Sequence, residues 1–382
     1  MKILVYTSLY PSPARPVHGI FVHELVKGLA RLASVRVLVP QEAFRQWLAR
    51  LKQDHAIPGQ ESDILRCRFW TIPKFGKSLD ARLMAGFSRK AFSQALQAEP
   101  DLIHAHYAYP DGAAAALLAK EAGLPLVITC HGSDINVLAQ DPDRARIMTQ
   151  SLNQAKAVVA VSQDLARKIA RLGVDAERIH HIPNGVDLSR FPTSSKARAR
   201  VILGLDASCR LLVAAGRLEP VKGFDRLLRA VAGLDNVRLI MAGDGSQRRA
   251  LEGLASKLGL GHRAIFAGLV PHERLATYFQ AADLLVISSH SEGWPTVIHE
   301  ALACGTPVVA PALGGIPEAL AGNGLGLLVA SGEPEILAQG IRRALDTAWD
   351  PDVLRSAAAA HDWRAVAERH MRLYEKVLTG AH

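Results

Sequence analysis

The chain is poor in cysteine and aromatic residues and has no long apolar run. Its four cysteines are scattered among 382 residues, so we expect them to fill core space and predict no structural metal site. Aromatic residues make up 5% of the chain and are not interleaved with basic ones as base-stacking platforms would be, which argues against nucleic acid as a partner. No apolar run reaches the roughly 18 residues that a membrane-spanning helix needs. The apolar start is too short for a secretory signal, and we expect a cytoplasmic protein.

Positive charge is concentrated in one part of the chain. The net charge is +9 at pH 7, and residues 36–90 hold 11 Lys and Arg against 5 Asp and Glu. The stretch 44–51 in this region is amphipathic, of the kind that rests on a bilayer surface. One interpretation is contact with an anionic membrane through residues 36–90, at its inner face. An ordinary solvated basic surface explains the same charges equally well.

Apolar strand-like runs alternate with amphipathic stretches of helix length, which predicts parallel α/β units. In the first half, strands are predicted at 3–6, 35–39, 102–104, 126–129, 158–161 and 179–182. In the second half, they are predicted at 211–215, 238–241, 265–266, 284–288 and 308–310. Turn-forming residues over 188–195 indicate a linker. We predict two Rossmann-like domains, 1–190 and 191–361, followed by a helical segment, 362–382.

Two acidic residues are placed where ligands of open parallel sheets bind, outside the carboxyl ends of the strands. Glu292 falls in the loop after the predicted strand 284–288, and Glu300 falls about one turn inside the following helix. Both carboxylates are expected to face a ligand above the sheet, although two glutamates at this spacing are by themselves a weak signal. If the two domains face each other, the site is the cleft between them.

Two cations follow an earlier predicted strand of the same domain. Arg217 and Lys222 come after 211–215, across a glycine turn and at the start of a helix. A helix start offers N–H groups and the two side chains add full charges, which together suit an anion. The alternative is a surface turn with solvated charges.

These segments resemble the large family of retaining glycosyltransferases that use nucleotide sugars, whose C-terminal half carries Gly-Arg-Leu-x-x-x-Lys-Gly and Glu-x7-Glu. The likeness extends over nearly the whole chain through five further motifs, at residues 182–187, 242–245, 266–268, 304–309 and 314–318. The resemblance implies the GT-B fold, in which two Rossmann-like domains face each other across a cleft and a C-terminal helix returns to pack on the first domain.

The resemblance also implies how the cations act. Arg217 and Lys222 are expected to stabilise the departing diphosphate, and preorganised charge of this kind is usually the largest catalytic contribution. Backbone N–H groups of Thr296 and Val297 would add to the same anion site. No metal ion is then needed.

The carboxylates receive separate roles. Glu300 fits a ribose-binding role, because a carboxylate accepts hydrogen bonds from two vicinal hydroxyls. Glu292 is placed to bind hydroxyls of the donor sugar and to stabilise it. The favoured mechanism is front-face transfer, in which the leaving phosphate takes the acceptor proton, because a covalent role for Glu292 would need a partner acid on the other side of the bond.

In the first half, the family indicates a glycine-bearing loop that closes on the diphosphate, and Gly19 is the matching position. His18 stands where a second glycine is usual, so the loop is expected to be stiffer. His131 matches a histidine that donates to the transferred sugar. The structural alternatives are a simple turn for Gly19 and a core histidine for His131. His104 and His106 are expected to pack at the end of the sheet, and a cleft contact by one of them is left open.

Two further loops are implied to contact the donor. The Gly314-Gly315 pair, together with Glu318, is expected to approach the hydroxyls of the sugar, with Gly315 as the contact residue. Gly268 and Val270 match the loop that recognises the nucleobase largely through backbone groups. Backbone recognition does not identify the base, and uridine is favoured.

The predicted activity is therefore metal-independent transfer of a sugar, with retention, from a UDP-sugar to a cell-envelope, polysaccharide or glycolipid acceptor, with no cofactor besides the donor. Acceptor specificity is expected in the loops at 40–80 and 107–112. Two alternatives remain: an epimerase acting on the nucleotide sugar with the same fold, and a basic module that binds membrane surfaces.

Overall fold

The computed structural model describes residues 1–12, 15, 18–42, 63–71, 76–206 and 209–380. The strands in these ranges are β1 (Lys2–Tyr6), β2 (Ser34–Glu42), β3 (Ile64–Phe69), β4 (Leu102–His106), β5 (Leu126–Cys130), β6 (Ala157–Ala160), β7 (Ile179–His181), β8 (Arg210–Ala215), β9 (Val237–Ala242), β10 (Ala264–Gly268), β11 (Leu284–Val286), β12 (Val308–Pro311) and β13 (Gly326–Val329).

The helices in the same ranges are α1 (Ile20–Leu29), α2 (Asp80–Leu96), α3 (Ala113–Ala122), α4 (Ser133–Asn136), α5 (Pro142–Gln154), α6 (Gln163–Arg171), α7 (Lys196–Ile202), α8 (Phe224–Ala232), α9 (Arg248–Lys257), α10 (His272–Ala281), α11 (Val297–Ala303), α12 (Ile316–Ala319), α13 (Pro334–Leu345), α14 (Pro351–Ala359) and α15 (Trp363–Thr379). Strands and helices alternate along most of the chain, as the sequence pattern predicts.

The first compact unit comprises Met1–Asn184 and Trp363–His382. Its parallel sheet has the order β3-β2-β1-β4-β5-β6-β7. Successive strands are added on one side of β1 up to β3 and on its other side from β4 onward, so the strand order reverses between β1 and β4. The interior strands β4, β5 and β6 are buried at every position, which explains their continuous apolar runs. The helix α15 packs on α1, with Trp363 and Tyr374 buried in the same core.

The second compact unit comprises Gly185–Asp362. Its parallel sheet has the order β10-β9-β8-β11-β12-β13, and the reversal lies between β8 and β11. Its core is formed by apolar residues of β8, β9 and β11 with the inner faces of α8 and α13. Both units are therefore doubly wound Rossmann-like folds, and the predicted α/β class is confirmed.

The boundary between the units differs from the one placed at residue 190 by turn composition. It lies after Asn184, so residues 185–190 belong to the second unit. Val186 pairs with Asp362, and the short 3-10 turn Leu188–Arg190 packs near α10. These contacts attach the segment to the second unit, and no local composition could have indicated them.

Two strands were not predicted, β3 and β13, and both are edge strands of their sheets. An edge strand pairs on one side only and keeps a partly exposed face. Accordingly, β3 alternates apolar residues with Arg66 and Arg68 and is mostly exposed or half-buried. Such a strand lacks the unbroken apolar run by which the interior strands were recognised.

Three further expectations concern composition. Three of the cysteines are buried and Cys67 is half-buried, in line with space-filling roles. The amphipathic stretch 44–51 lies outside the described residues. Among the residues that are described, no helix combines the length and the apolar character needed to cross a membrane.

Candidate active site

The best-formed constellation lies at the carboxyl edge of the second sheet, at its reversal point. The strands β8 and β11 are neighbours there, and the loops that follow them carry Lys222 and Glu292. Lys222 Nζ lies 2.7 Å from Glu292 Oε1, and the Ser289 hydroxyl donates to the same oxygen at 2.6 Å. Only 9% of the Glu292 side chain is exposed. The fold thus holds one carboxylate beside one ammonium where doubly wound sheets bind their ligands.

The two loops are joined through backbone contacts that position Lys222. His290 N–H donates to the Val221 carbonyl at 2.8 Å, and the Ser288 hydroxyl donates to the Lys222 carbonyl at 3.0 Å. Gly223 has a left-handed backbone with φ 59°, and a Cβ there would lie 2.2 Å from the Ser288 carbonyl oxygen. Only glycine fits this approach, so the Lys-Gly pair of the motif has a steric reason.

Arg217 is on the same loop but is held differently. Its side chain is exposed, and no ion pair or hydrogen bond to its guanidinium occurs among the described residues. Of the two cations expected at the anion site, Lys222 is held in place by its pair with Glu292, whereas Arg217 extends into solvent from the preceding turn.

Glu300 is the fourth residue of α11 and is buried. Its Oε1 lies 3.3 Å from Nε2 of His272, the first residue of α10. Thr296 is the N-cap of α11 and Val297 its first residue, so their N–H groups are at the helix start as predicted. This helix has only seven residues, and its dipole is correspondingly a minor contribution.

The glycine pair after β12 approaches the acidic loop. Gly314 has φ 54°, and a Cβ there would lie 2.0 Å from the Glu292 carbonyl oxygen. Gly315 has an ordinary backbone and precedes α12. Within this glycine pair, Gly314 makes the close backbone contact with Glu292, and the expected approach of Gly315 to the donor sugar stays a prediction.

Gly268 ends β10, and its carbonyl accepts a hydrogen bond from Gly243 N–H at 2.8 Å. Val270 follows in the loop before α10 and is half-buried. Both residues are at the carboxyl edge of the second sheet, on the side of β8 that lies away from β11. Their assignment to the nucleobase stays a prediction.

In the first unit, His131 directly follows β5. Its Nε2 lies 3.1 Å from His106 Nδ1, and the Phe21 ring centroid is 4.6 Å from its own. Burial, with a smaller contribution from His370, lowers the pKa of His131 to about 3. The imidazole is therefore neutral at pH 7, and it acts as a hydrogen-bonding group rather than as a cation. Asp134 fixes the loop by accepting from the N–H groups of His131 and Gly132.

The two histidines of β4 have different surroundings. His104 is fully buried between the Thr129 and Tyr374 hydroxyls, each 2.7 Å from a ring nitrogen, and it packs as predicted. His106 contacts His131, which the sequence analysis missed. The sequence did contain a signal for this contact. β4 lies beside β5 with His106 opposite Thr129, and His131 is two residues after Thr129, on the same face of the sheet.

Gly19 is the N-cap of α1 and has φ 69°. A Cβ there would lie 2.3 Å from the Leu9 carbonyl group, so the turn itself requires glycine. His18 lies against Arg15, with Nδ1 3.0 Å from a guanidinium nitrogen. The structure thus gives Gly19 a folding role, and its expected contact with phosphate stays a prediction.

Within the described ranges, no group of three or more His, Cys, Asp or Glu side chains is arranged to hold a metal ion.

The fold and this site define a class, the GT-B glycosyltransferases. The model for glycosyl transferases group 1 matches residues 195–361, and the model for glycosyltransferase family 4 matches residues 18–190. The chain is also 33% identical over 368 residues to TuaC of Bacillus subtilis, a glycosyltransferase named for teichuronic acid biosynthesis, with 92% of each chain covered. The chain therefore belongs to the group 1 glycosyltransferases.

Solved structures agree with this assignment. A sucrose-phosphate synthase from Thermosynechococcus elongatus superposes with a TM-score of 0.83 and 25% identity, over 100% of both chains. HepE of Anabaena, solved in complex with UDP, superposes with a TM-score of 0.77 and 25% identity, over 98% of this chain and 100% of HepE. The predicted membership of the group 1 glycosyltransferases and the predicted GT-B class are confirmed.

Proposed function

We propose that this glycosyltransferase transfers a sugar, with retention and without a metal ion, from a UDP-sugar to a cell-envelope polysaccharide or glycolipid acceptor. The observation that carries the proposal is the Lys222–Glu292 pair at the reversal point of the second sheet. The choice of UDP is supported by HepE, which is similar to this chain and was solved with that nucleotide. The choice of acceptor is supported by the naming of TuaC for teichuronic acid biosynthesis.

In the proposed mechanism, positive charge near the donor stabilises the departing diphosphate. Lys222 is already positioned by the loop contacts, and Arg217 is exposed and able to fold onto an arriving phosphate. Charge that is fixed before the reaction costs no reorganisation in the transition state. The Thr296 and Val297 N–H groups add a weaker contribution.

Glu292 binds the donor sugar in this proposal. Its Oε1 is engaged by Lys222 and Ser289, so the carboxylate is fixed in place before the donor binds. The leaving phosphate accepts the acceptor proton, and the new bond forms on the face from which the phosphate departs. Gly315 borders the sugar, and the neutral imidazole of His131 donates to a sugar hydroxyl.

The remaining contacts hold the nucleoside and the diphosphate. Glu300 accepts hydrogen bonds from the ribose hydroxyls, and the backbone near Gly268 and Val270 binds the base. Gly19 lies in the loop that approaches the diphosphate. Each of these roles is a proposal that extends the family assignment.

The test is a screen of common nucleotide sugars by thermal shift, followed by an assay for release of nucleoside diphosphate, because a ligand of the folded state raises the melting temperature. We expect a UDP-sugar to give the largest shift and to release UDP when an acceptor is present. Absence of any shift and of any release would refute the proposal. Conversion of the donor into an isomer without acceptor would favour the epimerase instead.

Contact with an anionic membrane is a second, separable proposal. Trp70 and Phe87 are 57% and 47% exposed, and Arg82 and Lys90 of α2 are exposed as well. Exposed apolar side chains beside a basic stretch of the chain suit a bilayer with anionic lipids. Vesicles containing phosphatidylglycerol should sediment the protein at low salt and release it at high salt. Failure to bind at low salt would refute the contact.

A further inference from the structure

His272 lies between two charged groups of the second unit. Its Nδ1 is 3.1 Å from a terminal guanidinium nitrogen of Arg190, and its Nε2 is 3.3 Å from Glu300 Oε1. The helix α10, which His272 opens, and the helix α11, which carries Glu300, both begin at the carboxyl edge of the sheet. The imidazole therefore connects the segment that opens the second unit to a carboxylate at the candidate donor site.

These two contacts determine where the ring carries its hydrogen. A guanidinium only donates hydrogen bonds, so Nδ1 must accept from Arg190. The ring hydrogen is then on Nε2, which donates to the Glu300 carboxylate. The other neutral tautomer would direct N–H against N–H at Arg190 and lone pair against lone pair at Glu300.

Arg190 and the ring are themselves held in place. Arg190 Nε lies 3.1 Å from Asp187 Oδ2, and Asp187 in turn accepts from the backbone N–H and the hydroxyl of Ser189. The Phe191 ring meets the His272 ring edge-on, with centroids 5.4 Å apart. The side chains of Arg190, Asp187 and His272 are each about one-fifth exposed, so water only partly screens these contacts.

We propose that His272 is a positioning residue that orients Glu300 for the ribose of the nucleotide, and that Arg190 selects the tautomer that does so. Donation to Oε1 fixes the plane of the carboxylate, so that its other oxygen is presented to a ribose hydroxyl in a constant direction. This inference rests on the proposed ribose role of Glu300. It assigns a function to the segment 182–190, whose motif no other part of the mechanism uses.

The experiment compares binding of UDP, 2′-deoxy-UDP and 3′-deoxy-UDP to the full chain by calorimetry. The wild type should prefer UDP over at least one deoxy analogue by about tenfold or more, the usual effect of one hydrogen bond to a charged group. His272→Asn keeps an acceptor near Nδ1 and loses the donor to Glu300, so the preference should fall at least threefold. His272→Gln places an amide N–H near Nε2 and should keep most of the preference.

Two more variants complete the design. Arg190→Ala frees the ring to adopt either tautomer, so its preference should lie between those of the wild type and His272→Asn. His262→Asn removes an exposed histidine of the turn Gly261–Arg263 and should leave the preference unchanged. Circular dichroism and melting temperature of each variant show whether it is folded.

The ratio of affinities separates positioning from a general structural role, because loosening of the fold weakens binding of all three nucleotides together. An unchanged ratio in folded His272→Asn, with UDP still preferred by the wild type, overturns the role of His272 and leaves the proposed function standing. Absence of binding of any nucleotide to the wild type overturns both.

Discussion

The charged residues of the candidate site differ in their burial and in whether another side chain of the protein pairs with them. Glu292 is 9% exposed and its Lys222 partner 27%, so the pair is shielded from much of the solvent. Removing one partner of such a pair leaves the other poorly solvated, which costs more than the pair itself contributes. Arg217, by contrast, is exposed and makes no such pair within the described chain. The two cations should therefore behave differently when each is neutralised.

Lys222→Met and Arg217→Met should both lower turnover of the donor by two orders of magnitude or more, because each removes a positive charge that stabilises the departing diphosphate. Their stabilities should diverge. Lys222→Met should lower the free energy of unfolding by about 1–3 kcal/mol, since Glu292 loses its charged partner. Arg217→Met should stay within about 0.5 kcal/mol of the wild type, as exposed substitutions usually do.

Urea unfolding and the assay for UDP release check both statements. Equal stability losses in the two variants would contradict the description of the site. Full turnover in either variant would remove that residue from the diphosphate site.

At the scale of elements, the site is built where three loops meet at the carboxyl ends of β8, β11 and β12. Backbone packing joins them: Gly223 lies against Ser288, and Gly314 lies against Glu292. Each glycine has a positive φ and no room for a Cβ, so the spacing between the loops depends on the absence of a side chain. The loops therefore act as one rigid edge, and a disturbance in the third loop should reach the carboxylate in the second.

Gly314→Ala should destabilise the protein by about 2 kcal/mol or more, because its Cβ would overlap the Glu292 carbonyl and its φ of 54° is strained for alanine. It should also lower turnover, since Glu292 must shift. Gly253→Ala is the matched control, as Gly253 is within α9 with nothing within 4 Å of a Cβ. That change should stabilise the helix by up to about 1 kcal/mol. Urea unfolding and turnover of both variants measure the contrast, and a Gly314→Ala protein of wild-type stability would contradict it.

At the scale of the whole molecule, the first unit contains a group of buried, neutral histidines between its sheet and the C-terminal helix. His104 bonds to the Tyr374 hydroxyl of α15, and the ring of His370, also on α15, lies 5.5 Å from that of His104. Burial lowers the pKa of His104, His106 and His131, and it lowers that of His370 to about 4. Acid should therefore loosen the attachment of α15.

The sign follows from proton binding. An unfolded histidine takes up a proton as the pH falls through about 6.5, whereas these buried ones stay neutral, so acid favours the unfolded state. The loss begins below about pH 6.5 and continues to the lowered pKa of each ring. Asp111 opposes this trend, because burial raises its pKa to about 7 and the folded state keeps its proton. Burial raises the pKa of Asp134 in the same sense. Burial also raises the pKa of Asp80 and lowers that of His180, so five imidazoles of this unit still outnumber three carboxyls.

The free energy of unfolding should therefore fall between pH 6 and pH 5. His370→Leu should make that fall shallower by up to about 1.4 kcal/mol per pH unit, the effect of one proton. The measurement is urea unfolding at pH 7, 6 and 5 for both proteins, with His262→Leu as the control for loss of an exposed histidine. Identical slopes for the wild type and His370→Leu would contradict the account.

The sequence by itself determined the class of the fold, most of the elements and the positions of the site motifs. Hydrophobic periodicity is local, so interior strands such as β5 and β8 are visible in a short window. The ends of parallel strands lie at one edge of a sheet, so Lys222 and Glu292 could be assigned to that edge from the chain alone. The roles given to Gly19, Gly315, Gly268 and Val270 came from family likeness and stay predictions.

Only the tertiary structure decided which residues meet. Lys222 and Glu292 are 70 positions apart and His272 and Glu300 are 28 apart, and their contacts depend on strand order and on the docking of helices. The same holds for His106 beside His131 and for Gly314 beside Glu292. These pairings, like the edge strands and the unit boundary, arise from packing between segments that are distant in the chain. A local sequence pattern depends only on neighbouring residues, so it cannot predict them.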